Sequence, residues 1–268
     1  MLLERRPRSR ALAPFVSSFG YFEGELEPGR ERVLPSGHVS LMVNLHEDEL
    51  RTYHGPDAAI VRRTRGAAFS GPQAAPSVID TEEQRRLVWV SFRLGGAAPF
   101  IENPLDETRD ELVDLQDLWG HAGAVLRERV LEARTTEEMF GIVESELLEH
   151  LAPTRERDPA VAFAVRALDR GAKVSQVTAR LDVLRKRFVR RFREHVGLTP
   201  KRFARVRRLQ RVLGAVAREA DVAWAEVAAE HGFYDQSHLV HDFRELTGLT
   251  PTAYRPRAAN EWNHVPIG

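Results

Sequence analysis

The chain has 268 residues, enough to bury two ordinary cores, and its 39 basic and 39 acidic residues cancel. Cysteine is absent, which excludes disulfides, thiolate zinc sites and cysteine nucleophiles at once, and no apolar run approaches the length of a membrane span. A cytoplasmic protein with no membrane contact is the expectation.

The neutral total hides an asymmetry. Residues 1–155 hold 26 acidic and 18 basic side chains, whereas residues 156–255 hold 12 and 20. An acidic front and a basic back point to a polyanionic partner for the second part alone. With 36 arginines against 3 lysines, a cluster of arginines carries less weight here than in a lysine-rich chain.

From 15 to 100 the apolar residues come in short alternating runs broken by Pro28-Gly29, Pro35-Ser36-Gly37, Gly55-Pro56, Gly71-Pro72 and Gly95-Gly96. Val39, Leu41, Val43 and Leu45 share one strand face, with Ser40, Met42, Asn44 and His46 on the other; Val88, Val90 and Phe92 alternate likewise with Trp89, Ser91 and Arg93. Short strands at this spacing predict a β-barrel or sandwich over residues 1–105. Which of the two sets of faces is buried stays open. A ligand pocket inside such a barrel would draw on the polar set, so Trp89, Arg93 and Asn44 are candidate contacts for a small-molecule effector. Two alternatives stand beside it: a sheet that packs on helices and binds nothing, or a homodimer surface on the helices that follow.

After Pro104 the period becomes helical, with Leu112, Leu115 and Leu118, then Val125, Leu126, Val130 and Leu131, then Phe140, Val143, Leu147 and Leu151. Residues 106–155 therefore read as a helical extension and linker, and Pro153 to Pro159 is the domain boundary. Residues 156–255 read as all-α. The expected helices lie near 160–170, 174–181, 184–195, Pro200 to about Ala217, and 222–230, with a last one starting behind Asp235 as N-cap. Gly197 and Gly248 stand where a left-handed residue stops a helix. Residues 256–268 form a tail.

Two stretches 51 residues apart are near copies: Val189-Arg190-Arg191-Phe192-Arg193-Glu194 with Gly197-Leu198-Thr199-Pro200, and Val240-His241-Asp242-Phe243-Arg244-Glu245 with Gly248-Leu249-Thr250-Pro251. Each copy is a helix, a tight turn and a helix, the arrangement that lays a second helix in the DNA major groove while an apolar stripe holds it to its own core. In the first copy Leu184, Phe188 and Phe192 form the expected buried stripe, with Lys186, Val189, Arg190 and Arg193 opposite. In the second, Leu239, Phe243 and Leu246 are buried, and Ser237, His238, His241 and Arg244 face outward or lie at the flank. A helical bundle with solvated faces has the same periodicity.

The string Ala228-Ala229-Glu230-His231-Gly232-Phe233-Tyr234-Asp235-Gln236-Ser237-His238-Leu239, followed by Phe243, Gly248, Thr250, Pro251 and Tyr254, resembles the signature of the AraC/XylS family of bacterial transcription regulators. The resemblance covers residues 157–255. It implies two helix-turn-helix units joined by one long helix, which has Phe203, Val206, Leu209, Leu213 and Val216 as its apolar side. Their second helices would enter successive major-groove segments of double-stranded DNA, about 34 Å apart. The family's contact positions fall on Lys186, Val189 and Arg190 in the first unit and on Gln236, Ser237, His238 and His241 in the second. Arg190 is the candidate for a bidentate guanine contact, and Arg193, Lys201, Arg202 and Arg205 for phosphates. RNA polymerase is a further partner if the protein activates. The first unit departs from the pattern at Thr178, Asp182 and Leu184, which replace a small residue, the turn glycine and a hydroxyl N-cap; His241 replaces the usual arginine.

The front of the chain is similar to the cupin-like barrels attached to many such regulators. Val33-Leu34-Pro35-Ser36-Gly37 and Phe92-Arg93-Leu94-Gly95-Gly96-Ala97, with Leu112, Leu115 and Leu118, resemble a less studied N-terminal domain. Cupin metal sites use a His-x-His pair, and His38, Glu47, Glu49 and His54 do not supply one, so neither metal nor cofactor is expected. The expected fold is α+β, and the expected function is a DNA-binding regulator with an effector-binding or dimerising front and no enzymatic step. The alternative is a cupin-type small-molecule-binding protein or enzyme with a DNA-binding appendage.

Overall fold

A computed structural model describes residues 1–55, 58–152, 158–181, 184–219 and 221–267. Most of the expected linker, residues 153–157, and the turn position Asp182 lie outside the described residues. The fold is α+β.

Strands β1 (Leu2–Arg5), β2 (Val16–Glu23), β3 (Arg30–Val33), β4 (Ser40–Asn44), β5 (Leu50–His54), β6 (Ile60–Thr64), β7 (Ala67–Ser70), β8 (Ser77–Asp80), β9 (Arg86–Phe92) and β10 (Leu112–Asp114) build two antiparallel sheets. A last strand, β11 (His264–Ile267), completes them. Strand β10 corrects the expected helical start at Leu112, since Leu112–Asp114 pairs with β7 and the helices begin only at Leu115. The larger sheet runs β1-β2-β9-β4-β7-β10 and the smaller β11-β3-β8-β5-β6. Helices α1 (Leu115–Trp119), α2 (His121–Leu131) and α3 (Thr136–Glu149) cover the outer face of the larger sheet.

Those helices settle which strand faces pack. Val39, Leu41, Val43, Val88, Val90 and Phe92 join Leu126, Val130, Phe140, Val143 and Leu147 in one core. Each such side chain, once fully buried, contributes about 1.5–3 kcal/mol. The opposite face, with Ser40, Met42, Trp89 and Ser91, lines a cavity of about 810 Å³ shared with the smaller sheet. Gly20 is required by that face, because a Cβ there would fall 2.1 Å from the Trp89 ring on the neighbouring strand.

The second part holds α4 (Pro159–Asp169), α5 (Val174–Leu181), α6 (Arg185–Val196), α7 (Pro200–Val216), α8 (Trp224–Glu230) and α9 (Gln236–Thr247). Local chemistry sets the boundaries. Asp158 accepts from the Ala160 and Val161 amides, Thr199 from Arg202 N, and Asp235 from His238 N. Gly197 and Gly248 stop α6 and α9 in the left-handed region, at φ 78° and 73°. Helix α7 is shared: Phe203 joins the core of the first unit, and Val206, Leu209, Leu213 and Val216 that of the second. Leu184 corrects the expected stripe, since it lies ahead of the first helical residue, as N-cap, and is 81% exposed, while Phe188 and Phe192 are buried.

The tail is not free. Strand β11 pairs with β3 over His264↔Val33 to Ile267↔Arg30, so the chain returns from the helical part to the first sheets. The two parts also meet along α7, where Arg207 donates to Ser36 O at 3.0 Å and Gln210 to Pro35 O at 2.9 Å. Among the described residues no helix is long and apolar enough to cross a membrane.

Candidate nucleic-acid interface

The first unit presents its charge at the start of α6. Arg185, Lys186, Arg187 and Arg190 are exposed, and the first turn holds no acidic residue. A helix N-terminus carries the positive end of the backbone dipole and four unpaired N–H groups, so cations placed there destabilise the helix until an anion arrives. Arg185, Lys186 and Arg187 make no ion pair among the described residues, and Arg190 approaches only Glu194, with Nε 3.6 Å from its carboxylate. Val189 is half-buried beside them.

Arg193 is turned elsewhere. Its guanidinium is paired with Asp106, in the 3-10 turn Leu105–Thr108 of the first part, against which α6 packs. Arg202 reaches Glu245 at 3.3 Å and donates to Ala74 O, and Arg205 is held by Asp242 and Glu245. Lys201 is exposed and has no ion-pair partner among the described residues.

The second unit presents a different surface. Gln236, Ser237 and His241 are exposed on α9, and His241 Nε2 lies 3.9 Å from Glu245. His238 is half-buried and partly engaged: its Nδ1 accepts from Tyr234 N at 3.2 Å, and its ring meets Phe233 edge-on. Tyr234, in the turn, is 92% exposed. Its place in the signature string is the signal that could have nominated it. Arg185 and Arg187 were likewise readable as neighbours of Lys186 at the helix start.

Asp242 fastens this unit to α7. Its carboxylate accepts from Arg205 at 2.8 Å and Arg208 at 2.6 Å, and Arg208 also lies 4.1 Å over the Phe233 ring. Burial pushes the Asp242 carboxyl up, but the two guanidinium hydrogen bonds outweigh it and hold it below its usual range. The matching position of the first unit carries the opposite charge: Arg191 pairs with Asp158 there.

In the first part, Trp89 lines the cavity. Asn44 and Arg93 do not. The Asn44 amide is consumed by its own turn, donating to Glu49 O and accepting from His46 N at 2.9 Å each, and Arg93 lies past the strand end, bound to Ala13 O. Glu47 and Glu49 pair with arginines, and no group of three or more His, Asp or Glu could hold a metal among the described residues. His38 projects into the cavity, where its Nε2 accepts from Arg207 at 3.2 Å. The side chain keeps an exposed face toward solvent, and the protein packed around it together with the Arg207 charge lowers its pKa.

Two helix-turn-helix units on one connecting helix, each with an outward second helix, define a double-unit DNA-binding protein. Residues 177–257 match a family described as "Helix-turn-helix domain", and residues 4–114 match a domain of unknown function (DUF6597). The DNA-binding domain of AdpA, a global transcriptional factor solved with its target DNA, is 31% identical over 36% of this chain and 86% of its own, with TM-score 0.31. Residues 177–257 therefore belong to the helix-turn-helix domain family. ToxT from Vibrio cholerae is 11% identical, covering 89% of this chain and 98% of its own with TM-score 0.46. The xylose-binding transcription activator XylR is 18% identical over 44% of this chain and 37% of its own, with TM-score 0.30. No curated protein matches significantly.

Proposed function

We propose that the protein reads two unlike half-sites in double-stranded DNA, and that its β-rich part takes a small-molecule effector. The observation that carries the first half is the contrast between the outward faces of α6 and α9. Arg185, Lys186, Arg187 and Arg190 make the first face cationic; Gln236, Ser237 and His241 make the second neutral and hydrogen-bonding. The first suits phosphates and guanine, the second base edges that need both donors and acceptors. Arg193 and Arg202, engaged with the rest of the protein, would reach phosphate only by exchanging partners. Lys201 has no ion-pair partner to exchange among the described residues. The cavity, walled by both sheets, supports the effector. In this reading the protein performs no catalytic step and works in the cytoplasm, where its DNA is. A bound activator would also meet RNA polymerase, and the exposed Leu131 and Leu148 on the outer helices offer a homodimer contact.

Selection of binding sites from random DNA tests it. Arg190→Ala is expected to relax preference at one position by about 1–3 kcal/mol, with the rest of the site unchanged. Lys201→Ala should weaken all sequences alike and lower the slope of log affinity against log salt by about one. An unchanged base preference for Arg190→Ala removes its role, and no selected sequence for the full chain removes the whole reading.

A further inference from the structure

The floor of the cavity is ordered in three rows across the larger sheet. Ser91, Ser40 and Ser70 are register partners over β9, β4 and β7, and all three line the cavity. Trp89 and Met42 form the next row, the indole resting over Gly20. Leu2, Phe22 and Leu87 form the last. Hydroxyls at one end, a flat aromatic surface in the middle and hydrocarbon at the other match a guest with the same sequence of chemistries.

The charges in the lining disfavour an anion. Its two arginines are already engaged: Arg51 by Glu47 and Glu83, and Arg257 by Glu31 and Glu261. The lining also contains Glu4, the arginine-paired Asp80, Asp110 and Glu111, and the histidines His38, His54 and His264, the last beside Glu31. A carboxylate guest would enter beside fixed carboxylates with no unpaired arginine or lysine among the described lining residues, which costs more than placing a hydroxyl against the serines.

The remaining wall belongs to the far end of the chain. Arg257, Asn260, Glu261, Trp262, Asn263 and His264 line the cavity, and this segment is tied to both parts of the protein. Toward the sheets, β11 pairs with β3, and His264 Nδ1 lies 2.8 Å from buried Glu31. Toward the DNA-reading helices, Gln210 of α7 donates to Asn263 at 2.7 Å and accepts from the Trp262 indole at 3.2 Å. Tyr254 donates to Trp262 O at 2.7 Å, and its ring packs 5.9 Å from Phe243 of α9. A displacement of Trp262 by a guest therefore bears on α7 and α9 without an intervening gap.

We propose that the cavity takes an uncharged aromatic molecule with hydroxyl or carbonyl groups at one end, and that the segment 257–267 transmits its occupancy to the two DNA-reading helices. This rests on the effector reading above and adds its ligand class and its route. Occupancy alters DNA affinity only if the guest binds the two settings of the segment unequally, so the linkage is measurable in either direction.

A matched pair of probes separates the claims. At neutral pH 2-naphthol is uncharged, and 2-naphthoate has the same rings with a negative charge. With the full chain, 2-naphthol is expected to bind at least about tenfold tighter, read by calorimetry and Trp fluorescence. Ser40→Ala with Ser70→Ala should weaken it about fivefold. Saturating 2-naphthol should change affinity for the selected DNA site about tenfold. Gln210→Leu, which changes no lining residue but cuts the bonds to Trp262 and Asn263 together with the one to Pro35 O, should keep 2-naphthol binding and lose that change. Equal or tighter binding of 2-naphthoate, or no binding of either probe, overturns the ligand class. A DNA response that is absent in the wild-type chain or intact in Gln210→Leu overturns the route. The ligand-class outcomes do not depend on whether the chain selects a DNA site, which is the separate test of the functional reading; the route is read on the site which that test selects.

Discussion

Replacing Asp242 with alanine is expected to loosen the second helix-turn-helix unit by about 3 kcal/mol, because it leaves two guanidiniums without their shared carboxylate. Arg205 keeps Glu245, but Arg208 keeps only Gly232 O at 3.3 Å and the Phe233 ring. The turn before α9 and the helix itself then lose their fastening to α7. Amide exchange should report about a hundredfold lower protection in α9, with the β sheets unaffected. Asp242→Asn, which keeps one acceptor, should fall between. The same carboxylate sets a pH dependence. Its folded pKa lies below its ordinary value of 3.8, so its contribution is complete above that value and is lost as pH falls through the lowered one. Wild-type α9 should open in that acid window, and the alanine variant should show no further loss there. Unchanged protection in Asp242→Ala at neutral pH would show that the apolar core of the second unit suffices alone.

The helical half was legible because its signals are local. Asp158-Pro159, Thr199-Pro200 and Asp235 mark helix starts, and Gly197 and Gly248 mark ends, each by chemistry within four residues. Strand alternation sorted Val39, Leu41 and Val43 from Ser40 and Met42 equally well. It could not say which set meets helices and which meets a cavity, since that depends on α1–α3 and on a second sheet far away in the chain. The arginines were the least legible. Arg190, Arg193, Arg202 and Arg205 look alike in sequence, but Asp106, Asp242, Glu245 and the Ala74 carbonyl claim the last three. Strand β11 had no local signature either: four residues with Pro266 inside suit an edge strand, and only β3 supplies its partner.

The start of α6 supports the other large effect. Changing Arg185, Lys186 and Arg187 together to glutamine is expected to weaken DNA binding about a hundredfold near physiological salt and to lower the salt slope by about three. Those side chains are exposed, lack carboxylate partners among the described residues and stand at the positive end of the helix dipole. Each therefore costs the free protein about 0.3–1 kcal/mol, a penalty that a phosphate removes. The triple variant should accordingly fold at least as stably as the wild type, by thermal unfolding, while binding DNA far less well. The opposite signs are what identify the role. Residues that merely held α6 in place would lose stability and binding together, and residues solvated without purpose would change neither. Leu184 sharpens the point, because it gives the helix amides of this turn no side-chain cap, and among the described residues none replaces it against the phosphate that the three cations attract. Restoring a cap with Leu184→Ser should raise helix stability by about 1 kcal/mol. If a phosphate occupies those amides, that gain should shrink in the DNA complex and the affinity should fall slightly.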